Sequence, residues 1–345
     1  MENMYYIGLD VHKKVISHCV KDASGRIHAQ GQIPATRNAL DLWMKTLPGP
    51  WKVAMEATMF TGWIYDHLLP HAVAVKVAHP LMLRAIAVAK KKNDRLDAEK
   101  ICDALRCDFL PESYMVSTDI RERRRTLRYR NLLVQQSVQL KNRISCVLMG
   151  AGVTYNQEKL HQAGYFKELL ATNPDIDESL RRLLCQCRET VVRLQKTEGA
   201  LVRSLERDAF LAERVERLMT IPAVGPITAL TWALEVGDVK RFSSIKNAVS
   251  YCGLCGDEKN SAGIRKRTPI SKQRNKHLQT VLVEAAKMAP RLSPALAQVY
   301  DQEKQKGNAN RATLAVARKL VAYLVAIDRR KEGFLVIEKE DRAVA

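Results

Sequence analysis

The chain has 345 residues, 46% of them apolar, and its 56 Lys or Arg against 37 Asp or Glu give a formal net charge of +19. That apolar share excludes wholesale disorder, the length allows more than one core, and the charge points to a polyanionic partner through counterion release. No apolar run approaches the ~18 residues needed to span a bilayer and no signal-peptide pattern opens the chain, so a cytoplasmic protein with no membrane partner is expected. The first 110 residues hold 15 Lys or Arg against 11 Asp or Glu, which leaves the basic surface mainly to the middle and the C-terminal part. The eight Cys read as free thiols. Cys185/Cys187 and Cys252/Cys255 have neither the spacing nor the proximity of a zinc site.

Tyr5–Asp10, Val15–Lys21 and Ile27–Ile33 read as three strands of an antiparallel meander, with a turn at Gly25. Ala39–Leu47 is helical, Trp51–Met55 a fourth strand, Gly62–Leu69 a helix and Ala72–Val77 a fifth strand. Pro80 opens a helical stretch, and Asn93 is placed to cap a last helix at Asp94–Arg106. Three strands, then helix, strand, helix, strand and helices, is the order of a ribonuclease-H-like (RuvC-like) domain. From Ser117 to about Arg217 Leu and Val recur at helical spacing, interrupted by Tyr155–Asp177, so two long helices form either a hairpin or a dimerising coiled coil. Near Leu218 a second compact, mostly helical unit begins. Its Ile221-Pro-Ala-Val-Gly-Pro226 fits a helix-hairpin-helix turn whose backbone amides approach a phosphate, or an ordinary tight turn. A loop, helices at His277–Ala289 and Ala312–Asp328, and a frayed charged tail follow. The expected fold is α/β plus α, with segments 1–112, 113–217, 218–330 and 331–345.

Four acids stand out. Asp10 and Glu56 each end a short apolar run, where a buried strand hands its last side chain to solvent, and Asp94 and Asp97 lie three apart on one helical face. Read alone, acids three apart are a solvated face. A lone acid at the end of a buried strand, however, is costly unless paired or metal-bound, and the order of elements gathers all four. Such an oxygen cluster suits a hard divalent cation, magnesium with manganese as the substitute, and two such ions can clamp the oxygens of a phosphodiester. His12 is taken for a surface residue near that site.

Two basic stretches are candidates for nucleic-acid contact. Arg121, Arg123, Arg124, Arg125 and Arg128 crowd the start of the first long helix, facing either DNA or RNA backbone. The segment from Lys259 to Lys276 carries Arg265, Lys266, Arg267, Lys272 and Arg274 besides, with no acid, around Ser261. From its chemistry this is a DNA-contacting loop, although a serine hydroxyl among arginines is also how a nucleophile is presented to a phosphate.

The chain resembles the DEDD transposases of the insertion-sequence family that includes the Piv DNA invertase and the bridge-RNA-guided recombinases. The resemblance rests on Y-I-G-L-D at Asp10, M-E-A-T at Glu56, N-D-R-L-D-A at Asp94 and Asp97, I-P-A-V-G-P at Ile221–Pro226, F-S-S-I-K-N-A-V-S-Y-C-G-L at Phe242–Leu254 and the loop ending I-S-K at Lys272. It implies a RuvC-like domain, a coiled-coil linker and a C-terminal transposase domain. It also implies magnesium at Asp10, Glu56, Asp94 and Asp97, and Ser261 as the nucleophile that forms a phosphoserine link to DNA. The commoner Ser-Gly start is absent: Ala262 stands between Ser261 and Gly263. Donor and target DNA, a structured non-coding guide RNA and a dimeric or tetrameric assembly are the implied partners, in a bacterial cytoplasm with action at the nucleoid. A RuvC-like junction endonuclease using water, or an invertase without guide RNA, are the alternatives.

Overall fold

The computed structural model describes residues 4–86, 93–261, 264–271 and 273–334, without the side chains of 85, 86, 257–261 and 264–269. Contacts divide the chain into two compact units, Met1–Thr118 and Asp119–Ala345. Part of the expected frayed tail, 335–345, lies outside the described residues.

In the first unit β1 (Tyr5–Val11), β2 (Val15–Lys21) and β3 (Ile27–Pro34) are followed by α1 (Arg37–Met44), β4 (Trp51–Glu56), α2 (Thr61–Leu68), β5 (Ala74–Ala78), α3 (Pro80–Ile86) and α4 (Asp94–Arg106). The strands form one sheet in the order β3-β2-β1-β4-β5, antiparallel among the first three and parallel from β1 through β4 to β5. Alternation sorts its faces. Ile7, Leu9 and Val11 join Val53 and Met55 with Leu40, Trp43, Ile64 and Leu68 of α1 and α2 in the larger core. His18 is buried on that side against Trp43, ring centroids 5.1 Å apart, with Nδ1 lacking a partner among the described residues.

The intervening residues belong to the face that α4 covers. Ala54 packs with Ile101 and Leu105, and Tyr6 packs beside Cys19, Ala98 and Cys102. A Cβ on Gly8 would lie 2.0 Å from the Ala98 carbonyl oxygen and 2.4 Å from the Cys102 nitrogen, so only glycine fits beneath the helix. The seat is pegged by polar contacts. Cys102 Sγ donates to the Tyr6 carbonyl at 3.1 Å, Asn93 caps the helix by accepting from the Arg95 amide, and buried Lys21 donates to Glu99 at 2.9 Å and to Asp103 at 2.7 Å. Burial alone would lower the Lys21 pKa; the two carboxylates instead hold it up at about 12.

The second unit is mostly helical: α5 (Thr118–Gly150), α6 (Ala163–Thr172), α7 (Glu178–Glu206), α8 (Ala212–Met219), α9 (Pro226–Val236), α10 (Ile245–Tyr251), a ribbon of β6 (Gly256–Ser261) and β7 (Ile264–Ile270), then α11 (Lys276–Met288), α12 (Pro294–Gln305) and α13 (Ala309–Arg330). Ile144 and Leu148 of α5 share a small core with Phe166, Leu169 and Leu170 of α6 and Leu184 of α7. Every residue of α9 from Thr228 to Val236 is buried, and the helix packs against α8 and α11. Two features depart from expectation. The basic segment anticipated as a loop is a two-stranded antiparallel ribbon, and α12 is an additional helix. In the turn between α8 and α9 the left-handed residue is Ala223, at φ 67°, whereas Gly225 is an extended N-cap ahead of Pro226.

Candidate functional site

Parity and packing bring Asp10 and Asp94 together with His12, and among the described residues Glu56 and Asp97 are not in that group. Leu9 pairs with Met55 in the parallel register, so Asp10 and Glu56, one residue on in each strand, fall level on the face that α4 covers. Asp94 is the first residue of α4 and Asp97 lies one turn along it, so the contact that excludes a Cβ at Gly8 also brings the helix start to the strand ends. His12 Nε2 lies 3.1 Å from Asp10 Oδ2 and 3.5 Å from Asp94 Oδ2, and ligand atoms of these three residues are all within 4.8 Å of one another. Asp97 accepts from Lys100 Nζ at 3.0 Å.

Burial pushes the Asp10 carboxyl above its ordinary range; His12 pulls it down, and Asp94 and Asp97 push it up. A carboxyl driven towards protonation by both desolvation and neighbouring acids sits where a divalent cation relieves the crowding. The oxygen donors suit a hard cation and the residues present fit one. His12, read from the sequence as a surface residue, is half exposed yet belongs to the cluster. The signal was its spacing: two residues past Asp10, it inherits the same side of the strand.

Ser261 ends β6, paired with Ile264, so the sequence-predicted nucleophile stands at the tip of the ribbon. Asn260 faces Arg265, Lys259 faces Lys266 and Glu258 faces Arg267 in the register, while Lys272 and the side chains of Lys259, Ser261, Arg265, Lys266 and Arg267 lie outside the described residues. Arg274 and Lys276 are exposed at the ribbon's foot, where Arg274 donates to the Ser271 carbonyl at 2.9 Å.

The arginines of α5 divide. Arg123 donates to Asp208 at 2.8 Å, Arg124 to the Leu234 carbonyl at 2.8 Å, and Arg128 forks onto Glu235 with two bonds of 2.9 Å. Arg125 is exposed and Arg121 half-buried. Sequence reading overlooked Glu235, a carboxylate only 1% exposed. Its one signal is an acid inside the apolar run Leu230-Thr-Trp-Ala-Leu-Glu-Val236.

Two family models match the chain: a transposase model for the DEDD domain of IS110 type over residues 7–152, and one described as "Transposase IS116/IS110/IS902 family" over residues 215–301. The chain belongs to the IS116/IS110/IS902 family of transposases. The first match takes in Asp10, Glu56, Asp94 and Asp97; the second takes in α9, Glu235 and the Ser261 ribbon. Similar proteins include the transposase for insertion sequence element IS1328 of Yersinia enterocolitica, 28% identical over 94% of this chain and 97% of that one. A probable family 20 transposase of Pseudomonas aeruginosa is 24% identical over 95% and 98%, and the transposase for insertion sequence element IS1111A of Coxiella burnetii is 23% identical over 97% and 92%. As a transposase this protein is an enzyme whose expected activity is cutting and rejoining DNA, and its DEDD domain implies divalent-metal binding. Among the described residues no helix of this transposase is long and apolar enough to cross a membrane.

Proposed function

We propose that this transposase breaks and rejoins DNA through a covalent phosphoserine link made by Ser261, activated by magnesium, with manganese as the substitute, at Asp10, Glu56, Asp94 and Asp97. The observation that carries the reading is the convergence of Asp10, His12 and Asp94 within 4.8 Å where α4 meets the sheet, in a domain matched by a DEDD transposase model. When bound, the cation polarises the phosphate and lowers the pKa of the attacking hydroxyl. Ser261 Oγ forms a bond to phosphorus while the bond to one sugar oxygen breaks; the serine proton is released and the departing oxygen takes one up. Resealing reverses these changes, so the ester energy is kept and strands are exchanged without ATP. Arg265 and Arg267, on the returning strand of the ribbon, offset the charge that develops on phosphate.

The strand order supports a ribonuclease-H-like (RuvC-like) domain over 1–112, with a helical coiled-coil segment over 113–217, a transposase domain over 218–330 and a charged tail over 331–345. A basic balance of +19 supports a structured guide RNA as partner alongside donor and target DNA. The long α5 and α7 support assembly as a dimer or tetramer, acting at the nucleoid of a bacterial cytoplasm. The test traps protein–DNA adducts on denaturing gels. Asp10→Asn should bind DNA normally and cut none; Ser261→Ala should give no adduct and no strand exchange. Should Ser261→Ala cut at the wild-type rate, the water-using junction endonuclease replaces this reading.

A further inference from the structure

We infer that Glu235 is a positioning residue for the serine ribbon, acting through Asn275; this rests on the reading of Ser261 as nucleophile. A carboxylate buried at the end of a fully buried helix is expensive, and an apolar residue of similar volume would stabilise the core at least as well. What Glu235 adds is connection. Its Oε1 and Oε2 take the fork of Arg128, and Oε2 lies 3.9 Å from Arg124, both from α5. Oε2 also accepts from Asn275 Nδ2 at 2.9 Å.

Asn275 is the point where the ribbon's returning strand is fastened. Its backbone amide donates to the Tyr251 carbonyl at 3.1 Å, its Oδ1 caps α11 by accepting from the His277 and Leu278 amides, and its Nδ2 also lies 3.3 Å from Tyr251 Oη, which itself donates to the Glu235 carbonyl at 2.9 Å. The outgoing strand is fastened beside it. Gly253 has φ 70°, and a Cβ there would lie 2.4 Å from Arg274 Cβ, so the two feet of the ribbon touch. The carbonyls of Gly253 and Leu254 accept from Gln279 at 2.6 Å and from Arg318 at 2.8 Å, and the Ser271 amide donates to Cys255 at 3.1 Å.

From this foot the ribbon runs from the Gly256–Ile270 pair to the Ser261–Ile264 pair. At about 3.4 Å per residue the tip stands roughly 17 Å from its base. A tilt of about 5° at the foot therefore displaces the tip by roughly 1.5 Å, and misplacement of about 1 Å can slow a reaction on the order of a hundredfold. Among the described residues Glu235 ties that foot to α5 through Arg128, beside the weaker contact of Asn131 with His277 at 3.4 Å.

Two substitutions of Asn275 separate positioning from capping. Serine and aspartate both cap helices about as well as asparagine, aspartate with an added benefit from the helix dipole. Serine lacks the amide that reaches Glu235, and aspartate sets a second carboxylate against it. If Asn275 only caps α11, Asn275→Asp behaves as wild type. If it carries the Glu235 tether, single-turnover adduct formation at saturating DNA slows on the order of tenfold in Asn275→Ser and further in Asn275→Asp. DNA affinity stays unchanged, and amide exchange at Ser271 and at the substituted residue itself accelerates. Wild-type adduct rate and wild-type protection in both variants, with Ser261→Ala inactive, would overturn the positioning role alone. Strand exchange by Ser261→Ala would overturn the nucleophile and this inference together.

Discussion

Burial alone would push the Glu235 carboxyl up, yet Arg128, Asn275 and Arg124 together outweigh it and hold the group below its ordinary range. A depressed carboxylate stabilises the fold fully above its unfolded pKa of about 4.3, and that stability is lost as the pH falls through the folded value. His18 acts earlier. Burial lowers its pKa from 6.5, so the folded state resists the proton that the unfolded chain accepts and stability erodes as the pH drops below that point. Melting temperature should therefore decline in two stages on acidification, and His18→Phe, which suits the wall formed by Trp43, should lessen the first, to which His161 and His277, also lowered by burial, contribute. Truncating Glu235 to Ala leaves the half-exposed Arg128 and the Asn275 amide without their acceptor and should cost about 1–3 kcal/mol in denaturant unfolding. At this scale the sequence reveals acids where apolar runs give out, as at Asp10 and Glu56, because a charged side chain there must find water, a partner or a cation. It conceals the inward turn of Arg124 and Arg128, since a helix so dense in arginine gives no sign of which face meets a buried acid.

Among the elements, α4 governs the acidic cluster. Gly8→Ala would drive a Cβ into the Ala98 carbonyl, and relief requires the helix to lift. Overpacking of this kind costs about 1–3 kcal/mol. Because Asp94 and Asp97 ride on the same helix, thermal unfolding and calorimetric magnesium titration should show lower stability and weaker binding together. The five strands and α4 are legible in the sequence because their apolar alternation, turn residues and the Asn93 cap are local signals. The β6–β7 ribbon is not. Its charged residues carry no apolar period of two, and only cross-strand pairing makes it a strand pair.

For the molecule as a whole, charge decides less than its count suggests. Arg123, Arg124 and Arg128 are engaged by protein acceptors, so exposed positions such as Arg125 and Lys276 are the better candidates for contact with phosphate. The logarithm of DNA affinity should fall linearly with the logarithm of salt concentration, and Lys276→Ala should make that slope shallower by about 0.9 if Lys276 contacts one phosphate. Arg128→Met should leave the slope alone and lower stability instead. The sequence shows a polyanion-binding protein at this scale, but distributing its charge between surface and interior needs the fold.

The thiols of Cys19 and Cys102 lie beneath α4, beside the glycine that admits it. The hydrogen bond with Cys19, and then burial, push the Cys102 thiol far above its usual range, so it reacts only when the helix comes away. Alkylation of Cys102, followed peptide by peptide, is thus a clock for the opening of the acidic cluster. Divalent cations should slow that clock, and Asp97→Asn should make it indifferent to them.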